Sequence, residues 1–282
     1  MEKIIEPVVS TDWLEKNLDS SILRILDASW YLPTQKRNQF NEYRKRHIPG
    51  AQFFDIDIFS DECQELPHMA PSENKFVGQL KRMGIGDEHH VIVYDGSGLF
   101  SAGRAWWLFK LFGKTHVSIL DGGFPKWINE NKPVSDVIPS FPERLLGTKP
   151  NLQMISGWQR VLTASKSGEE QIIDARSEDR FKGLVEEPRP GLRSGHIPGS
   201  VNICFSEILN PDKTVKSVSE ISSIVLKKGI DIDKPIITTC GSGVTAAVLN
   251  LALELIGAKK VCLYDGSWCE WGGDNKFDVE LG

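Results

Sequence analysis

Ile236-Ile237-Thr238-Thr239-Cys240-Gly241-Ser242-Gly243-Val244-Thr245 runs from a short apolar segment into a glycine-rich turn, and Ala246 to Ile256, rich in Ala and Leu, continues with a helical pattern. A buried strand, a tight turn and a helix form the basic unit of a parallel α/β sheet. A thiol at the end of such a strand lies under the free N–H groups of the helix start. Those donors and the helix dipole favour the thiolate, which is the nucleophilic form. Taken alone, a Cys-Gly-x-Gly turn more often holds a structural cysteine, so the remainder of the chain decides what Cys240 does.

The chain is written twice. Ile25-Leu26-Asp27-Ala28 returns as Ile172-Ile173-Asp174-Ala175, and Arg46-His47-Ile48-Pro49-Gly50-Ala51 returns as Gly195-His196-Ile197-Pro198-Gly199-Ser200. Val91-Ile92-Val93-Tyr94-Asp95-Gly96-Ser97-Gly98 returns as the segment from Pro235 through Cys240-Gly241-Ser242-Gly243. Ile119-Leu120-Asp121-Gly122-Gly123, with Trp127, returns as Leu263-Tyr264-Asp265-Gly266-Ser267, with Trp271. Blocks in one order at nearly constant offset mean a tandem duplication of a whole α/β unit. Each copy alternates short β-branched runs with helical patterns such as Ala102 to Phe112. The expected fold is therefore α/β, with two tandem domains, each a mainly parallel sheet flanked by helices. The expected boundaries are 1–130 for the first domain, 131–151 for a proline-bearing linker and 152–282 for the second domain. Ligands of open parallel sheets sit at the carboxyl ends of strands, where Asp95 and Cys240 both lie.

Composition narrows the function. The chain has 282 residues and a net charge of −5 with no basic block, which speaks against nucleic acid as a partner. No apolar run is long enough to span a membrane, and the N-terminus lacks the apolar core of a secretory signal. The cysteines Cys63, Cys204, Cys240, Cys262 and Cys269 are odd in number and contain no C-x-x-C pair. That pattern favours a reducing compartment, the cytoplasm, over a disulfide framework or a zinc site. Neither a metal nor a cofactor is expected.

The tandem plan, the paired His-Ile-Pro-Gly blocks and a cysteine loop in the second copy alone resemble the rhodanese-type sulfurtransferases over nearly the whole chain. The loop Cys240-Gly241-Ser242-Gly243-Val244-Thr245 is similar to that of 3-mercaptopyruvate sulfurtransferases, whereas thiosulfate-using rhodaneses carry an Arg-Lys pair where this chain has Gly241-Ser242. One departure is Gly103, where relatives have Pro. The resemblance implies a rhodanese-like fold in both domains and a reaction in two halves. The Cys240 thiolate takes sulfur from 3-mercaptopyruvate as a persulfide and releases pyruvate. A thiol acceptor, thioredoxin among the candidates, or cyanide then removes that sulfur. Gly241, Ser242, Gly243, Val244 and Thr245 would cradle the persulfide with backbone N–H groups. Thr245 either caps the following helix or closes the loop.

The resemblance further implies that Arg180 and Arg189 bind the substrate carboxylate, a role that suits the planar guanidinium. Sequence context alone favours surface pairs with Glu186 and Glu187. A Ser242–His68–Asp57 proton relay is implied as well. His68 and Asp57 come from the first copy and Ser242 from the second, which places the reaction in a crevice between domains. Without the resemblance His68 reads as an ordinary loop histidine. His47 and His196 recur in both copies and read as structural, as do Arg176 and Arg193. Trp106, Trp107, Trp127, Trp268, Trp271 and Cys262 read as buried, and Cys63 and Cys269 as loop residues. The competing readings are thiosulfate:cyanide sulfurtransfer, disfavoured by the missing cationic pair, and a binding module without activity, disfavoured by the intact cysteine loop. A phosphatase of the same plan needs an arginine at position 246, which is Ala.

Overall fold

The computed structural model describes residues 6–282, so the leader reading of Met1–Ile5 lies outside the described residues. The chain forms two compact units. In unit 1 the strands are β1 (Val8–Val9), β2 (Leu23–Asp27), β3 (Ala51–Phe53), β4 (His90–Tyr94) and β5 (Val117–Leu120). Its helices are α1 (Thr11–Lys16), α2 (Gln39–Lys45), α3 (Glu73–Arg82), α4 (Ala102–Leu111) and α5 (Gly123–Asn129). Unit 2 repeats the series with β6 (Ile155–Ser156), β7 (Gln171–Asp174), β8 (Val201–Asn202), β9 (Ile236–Thr239) and β10 (Val261–Tyr264). Its helices are α6 (Trp158–Ser167), α7 (Glu178–Phe181), α8 (Val218–Lys227), α9 (Ala246–Leu255) and α10 (Ser267–Trp271).

The sheets have the orders β1-β5-β4-β2-β3 and β6-β10-β9-β7-β8, with every strand pair parallel. These are one topology written twice. The sequence of β4, His-Val-Ile-Val-Tyr, is apolar almost throughout because helices cover both faces of a parallel sheet, and every residue of it is buried. β9, Ile-Ile-Thr-Thr, is likewise buried at every residue. In unit 2 the chain leaves β7 to one side for β8 and returns on the other side for β9. The carboxyl ends of β7 and β9 therefore flank the crevice where open α/β sheets hold ligands. Cys240 follows the last residue of β9.

Each sheet carries its own apolar core. Ile25, Ile92, Leu120 and Trp127 pack together in unit 1, and Ile172, Ile237, Tyr264, Trp268 and Trp271 in unit 2. The indoles at the two corresponding positions each keep a polar partner: Trp127 Nε1 donates to the Pro133 carbonyl at 2.7 Å and Trp271 Nε1 to that of Asp278 at 2.8 Å. The repeated histidines do equivalent structural work. His47 and Ser135 exchange two backbone bonds of 2.9 Å, and the ring Nδ1 meets the Tyr43 carbonyl at 2.7 Å. His196 exchanges backbone bonds with Glu280 at 2.9 and 3.0 Å, while its Nδ1 meets the Phe181 carbonyl at 2.8 Å. Each histidine fastens the segment that trails its own sheet.

Two short segments leave the unit that sequence order gives them. Unit 1 contains the chain up to Asp61, Ala70–Asn151 and Pro211–Val215; unit 2 contains Glu62–Met69, Leu152–Asn210 and Lys216–Gly282. His68, which falls in the first copy by sequence, thus belongs to unit 2. In exchange Val215 belongs to unit 1, where its amide donates to Asp121 Oδ1 at 2.8 Å. The proline-bearing segment 131–151 packs with unit 1, held by the Ser135 bridge and by the Asn151 amide on the Leu111 carbonyl at 2.7 Å.

Candidate active site

The turn from β9 into α9 is set by Gly243, whose φ of +73° suits glycine, and is clamped by the start of α10. Ser267 Oγ accepts from the Gly243 amide at 3.1 Å and the Cys240 amide at 3.3 Å, and donates to the Tyr264 carbonyl at 2.7 Å. The Trp268 and Cys269 amides donate to the carbonyls of Cys240 and Gly241, each at 2.9 Å. Ser267 holds φ at +49°, a conformation that costs a non-glycine residue energy. Its counterpart Gly123 has φ +54°, and a Cβ there would lie 2.6 Å from the Gly98 carbonyl oxygen. Only the thiol-bearing copy makes room for the serine. Thr245 occupies the N-cap position of α9, but its side chain makes no capping bond, contrary to the capping alternative.

Unit 1 shows what this turn does with an anion. Asp95 stands where unit 2 has Cys240, and its carboxylate accepts from the backbone amides of Ser97 at 2.8 Å, Phe100 at 2.7 Å and Ala102 at 2.8 Å. Burial pushes the Asp95 carboxyl up, and these N–H groups oppose the shift. The loop of unit 2 is one residue shorter, because the N-cap residues Ser101 and Thr245 follow Asp95 and Cys240 by six and five residues, so the matching positions are Ser242, Val244 and Ala246. The same ring of donors suits a sulfur anion carried by Cys240.

Cations close over the loop. A Cβ built on Gly241 would lie 3.1 Å from Arg180 Nη2 and 3.9 Å from Arg189 Nη1. Both sequence-predicted arginines therefore meet the residue after the thiol. Arg180 Nε and Nη2 donate to Glu187 Oε1 and Oε2 at 3.1 and 2.5 Å. Glu187 also accepts from Arg176 Nη1 at 2.9 Å, and Arg176 forks onto Asp174 at 2.6–3.1 Å. The Glu187 side chain is only 2% exposed, so this is a buried chain of charges and not the surface pairing that local sequence suggested. Arg193 is structural, donating to the carbonyls of Trp271, Gly272, Asp274 and Phe277.

His68 Nδ1 and Ser242 Oγ are 2.9 Å apart, and both residues are buried. His68 has φ +62°, an uncommon backbone conformation for a non-glycine residue. Asp57 lies in unit 1, where its Oδ2 accepts from Trp30 Nε1 at 3.2 Å. Burial pushes the Cys262 thiol up to about 11, in keeping with a packing role. Cys63 is exposed, whereas Cys269 is buried in α10 and not in the expected loop. Among the described residues no group of three or more His, Cys, Asp or Glu side chains could hold a metal ion.

The rhodanese-like domain model matches residues 10–130 and 158–274, one match to each copy. The chain belongs to the rhodanese family. It is 42% identical over 273 residues to the 3-mercaptopyruvate sulfurtransferase of Escherichia coli K12, covering 96% of this chain and 97% of that protein. It is also 42% identical over 272 residues to the thiosulfate sulfurtransferase of Mus musculus, covering 94% and 91%. Among solved structures it is similar to the crystal structure of the 3-mercaptopyruvate sulfotransferase SseA from Escherichia coli. That match has a TM-score of 0.85 and 40% identity, with 94% and 99% of the two chains covered.

Within this rhodanese frame, Ser267 and Glu187 escaped the sequence reading for different reasons. The exchange of Gly123 for Ser267 accompanies that of Asp95 for Cys240 and was visible in the repeat. Nothing in an irregular segment marks Glu187 as buried and Glu186 as exposed. Removing one partner of a buried ion network costs about 3–5 kcal/mol, while a surface substitution stays within about 0.5 kcal/mol. Urea denaturation should therefore show Glu187→Ala strongly destabilised and Glu186→Ala near wild type. Equal effects would refute the buried network.

Proposed function

We propose that this rhodanese is a 3-mercaptopyruvate sulfurtransferase with Cys240 as its sulfur carrier. The observation that carries the reading is the fit of Gly241 beneath Arg180 and Arg189. Relatives at equal identity bear both the mercaptopyruvate and the thiosulfate names, so identity does not separate the substrates. The loop does. A larger residue at 241 would crowd Arg180, and an arginine there would add repulsion. With glycine, two guanidinium groups can face a substrate that carries a carboxylate beside a ketone.

In the first half-reaction the Cys240 thiolate attacks the substrate sulfur. An S–S bond forms, the C–S bond breaks, and the electron pair leaves on carbon as pyruvate enolate. The persulfide then lies in the loop of Gly241, Ser242, Gly243, Val244 and Thr245, where the N–H donors that hold Asp95 in unit 1 have their counterparts. The Ser242–His68 pair supplies the proton that the enolate takes up, with Asp57 as the third member that the resemblance implies. In the second half-reaction an acceptor thiolate takes the outer sulfur and restores the Cys240 thiolate. Thioredoxin and small thiols both present that nucleophile, and cyanide would release the sulfur as thiocyanate. Five scattered cysteines, odd in number and without a C-x-x-C pair, suit a reducing compartment, the cytoplasm.

Steady-state kinetics with both donors test the substrate. Wild-type kcat/KM should favour mercaptopyruvate. Arg180→Ala and Arg189→Ala should each lower it by about ten- to a hundredfold, the value of a charge-assisted hydrogen bond. Thiosulfate turnover as fast as mercaptopyruvate turnover would reverse the assignment. The relay has its own test: His68→Ala should slow sulfur loading by roughly 10²–10⁴-fold. It should affect sulfur release from a preloaded protein far less, since that step protonates no carbon. Loading within a factor of about two of wild type would return His68 to a purely structural role.

A further inference from the structure

Cys269 is the third residue of α10, where unit 1 has Pro125. Its amide bond to the Gly241 carbonyl and the Trp268 amide bond to the Cys240 carbonyl, both 2.9 Å, run the start of α10 along the first two loop residues. Hydrogen-bonded backbone segments lie about 5 Å apart, and a disulfide spans Cα separations of about 4.4–6.8 Å. In unit 1 Pro125 and Gly96, the counterparts of Cys269 and Gly241, line one cavity of about 560 Å³, so the helix position and the residue after the thiol position face a common space. The Cys269 side chain is buried and lies within electrostatic reach of Arg189, Cys240, Glu187 and Arg180. Burial pushes its thiol up, Arg189 opposes that shift, and negative charge on Cys240 adds to it. A second thiol thus stands beside the sulfur carrier, under the same two cations.

We propose that Cys269 is a resolving thiol that discharges the Cys240 persulfide as hydrosulfide when no external acceptor arrives. The proposal rests on the sulfur-carrier reading above. The Cys269 thiolate attacks Cys240 Sγ, the inner sulfur of the persulfide. The Cys240–Cys269 S–S bond forms, the bond to the outer sulfur breaks, and that sulfur leaves with the electron pair as hydrosulfide. Cys269 is oxidised and the transferred sulfur is reduced, so no other oxidant is needed. A dithiol of the acceptor class then reduces the disulfide and returns both thiols. Because burial keeps most of Cys269 protonated, this route is slower than direct transfer to an abundant thiolate acceptor.

The full-length protein should be incubated with mercaptopyruvate in the absence of any thiol, with pyruvate, hydrosulfide and non-reducing peptide masses followed together. Wild type should release pyruvate, then hydrosulfide in equal amount, and yield a Cys240–Cys269 disulfide peptide. Cys269→Ser and Cys269→Ala should retain one added sulfur on Cys240 and release hydrosulfide slower by about tenfold or more. The proposal is overturned by a wild-type protein that keeps its sulfur on Cys240, by sulfur found on Cys269 as a persulfide, or by variants that release hydrosulfide at the wild-type rate. Pyruvate release separates the two readings: its absence in wild type indicts the carrier assignment, whereas its presence without the disulfide indicts Cys269 alone.

Discussion

Backbone N–H groups at the end of the central strand are the constraint around which both units are built. In unit 1 they close on the Asp95 carboxylate with three bonds of 2.7–2.8 Å. In unit 2 the same turn follows β9 and begins with a thiol. Such donors converge only if the strand ends deep in the sheet, the next helix starts at once, and a positive-φ glycine reverses the chain between them. Gly98 and Gly243 fill that last role with φ values of +103° and +73°. The strand order, the buried apolar β4 and β9, and the short clamping helices α5 and α10 all hold this turn in place.

An anion site on bare amides is weakly selective, and the charges around it supply the discrimination. The succession Asp174, Arg176, Glu187, Arg180 is buried at one end and opens toward the loop at the other, the Arg180 side chain being 21% exposed. Glu187 neutralises two guanidinium groups in part and fixes both. Arg180 therefore meets Gly241 as a rigid donor and not as a mobile surface side chain. A single glycine after the thiol makes this approach possible. The loop residues 241–245 carry no charge, and the cations beside them come from the flanking segment.

Much of this was legible in the residues. The strand Ile236–Thr239, the turn at Cys240 and the duplication follow from β-branched runs, glycines and blocks repeated at near-constant offset. Strand order within each sheet was not, because periodicity reports a buried face and not a neighbour. The placement of His68 was not legible either. Residues 62–69 form an irregular segment whose unit is decided by tertiary contact, and sequence order alone gives the other answer. Cys269 reads as a loop residue because α10 spans only Ser267–Trp271, too short for a helical pattern to show. Thr245 has the chemistry of a cap, yet its side chain makes no capping bond, and Ser267 from another element holds the loop that leads into the helix.

The central claim is that the turn after β9 holds a sulfur anion as the turn after β4 holds a carboxylate. A high-resolution crystal structure of the protein loaded with mercaptopyruvate and trapped before acceptor is added tests this most directly. The account predicts one extra sulfur on Cys240 Sγ, with the amides of Ser242, Val244 and Ala246 pointing at it as those of Ser97, Phe100 and Ala102 point at Asp95. An outer sulfur turned away from those amides, or carried by another cysteine, would contradict it.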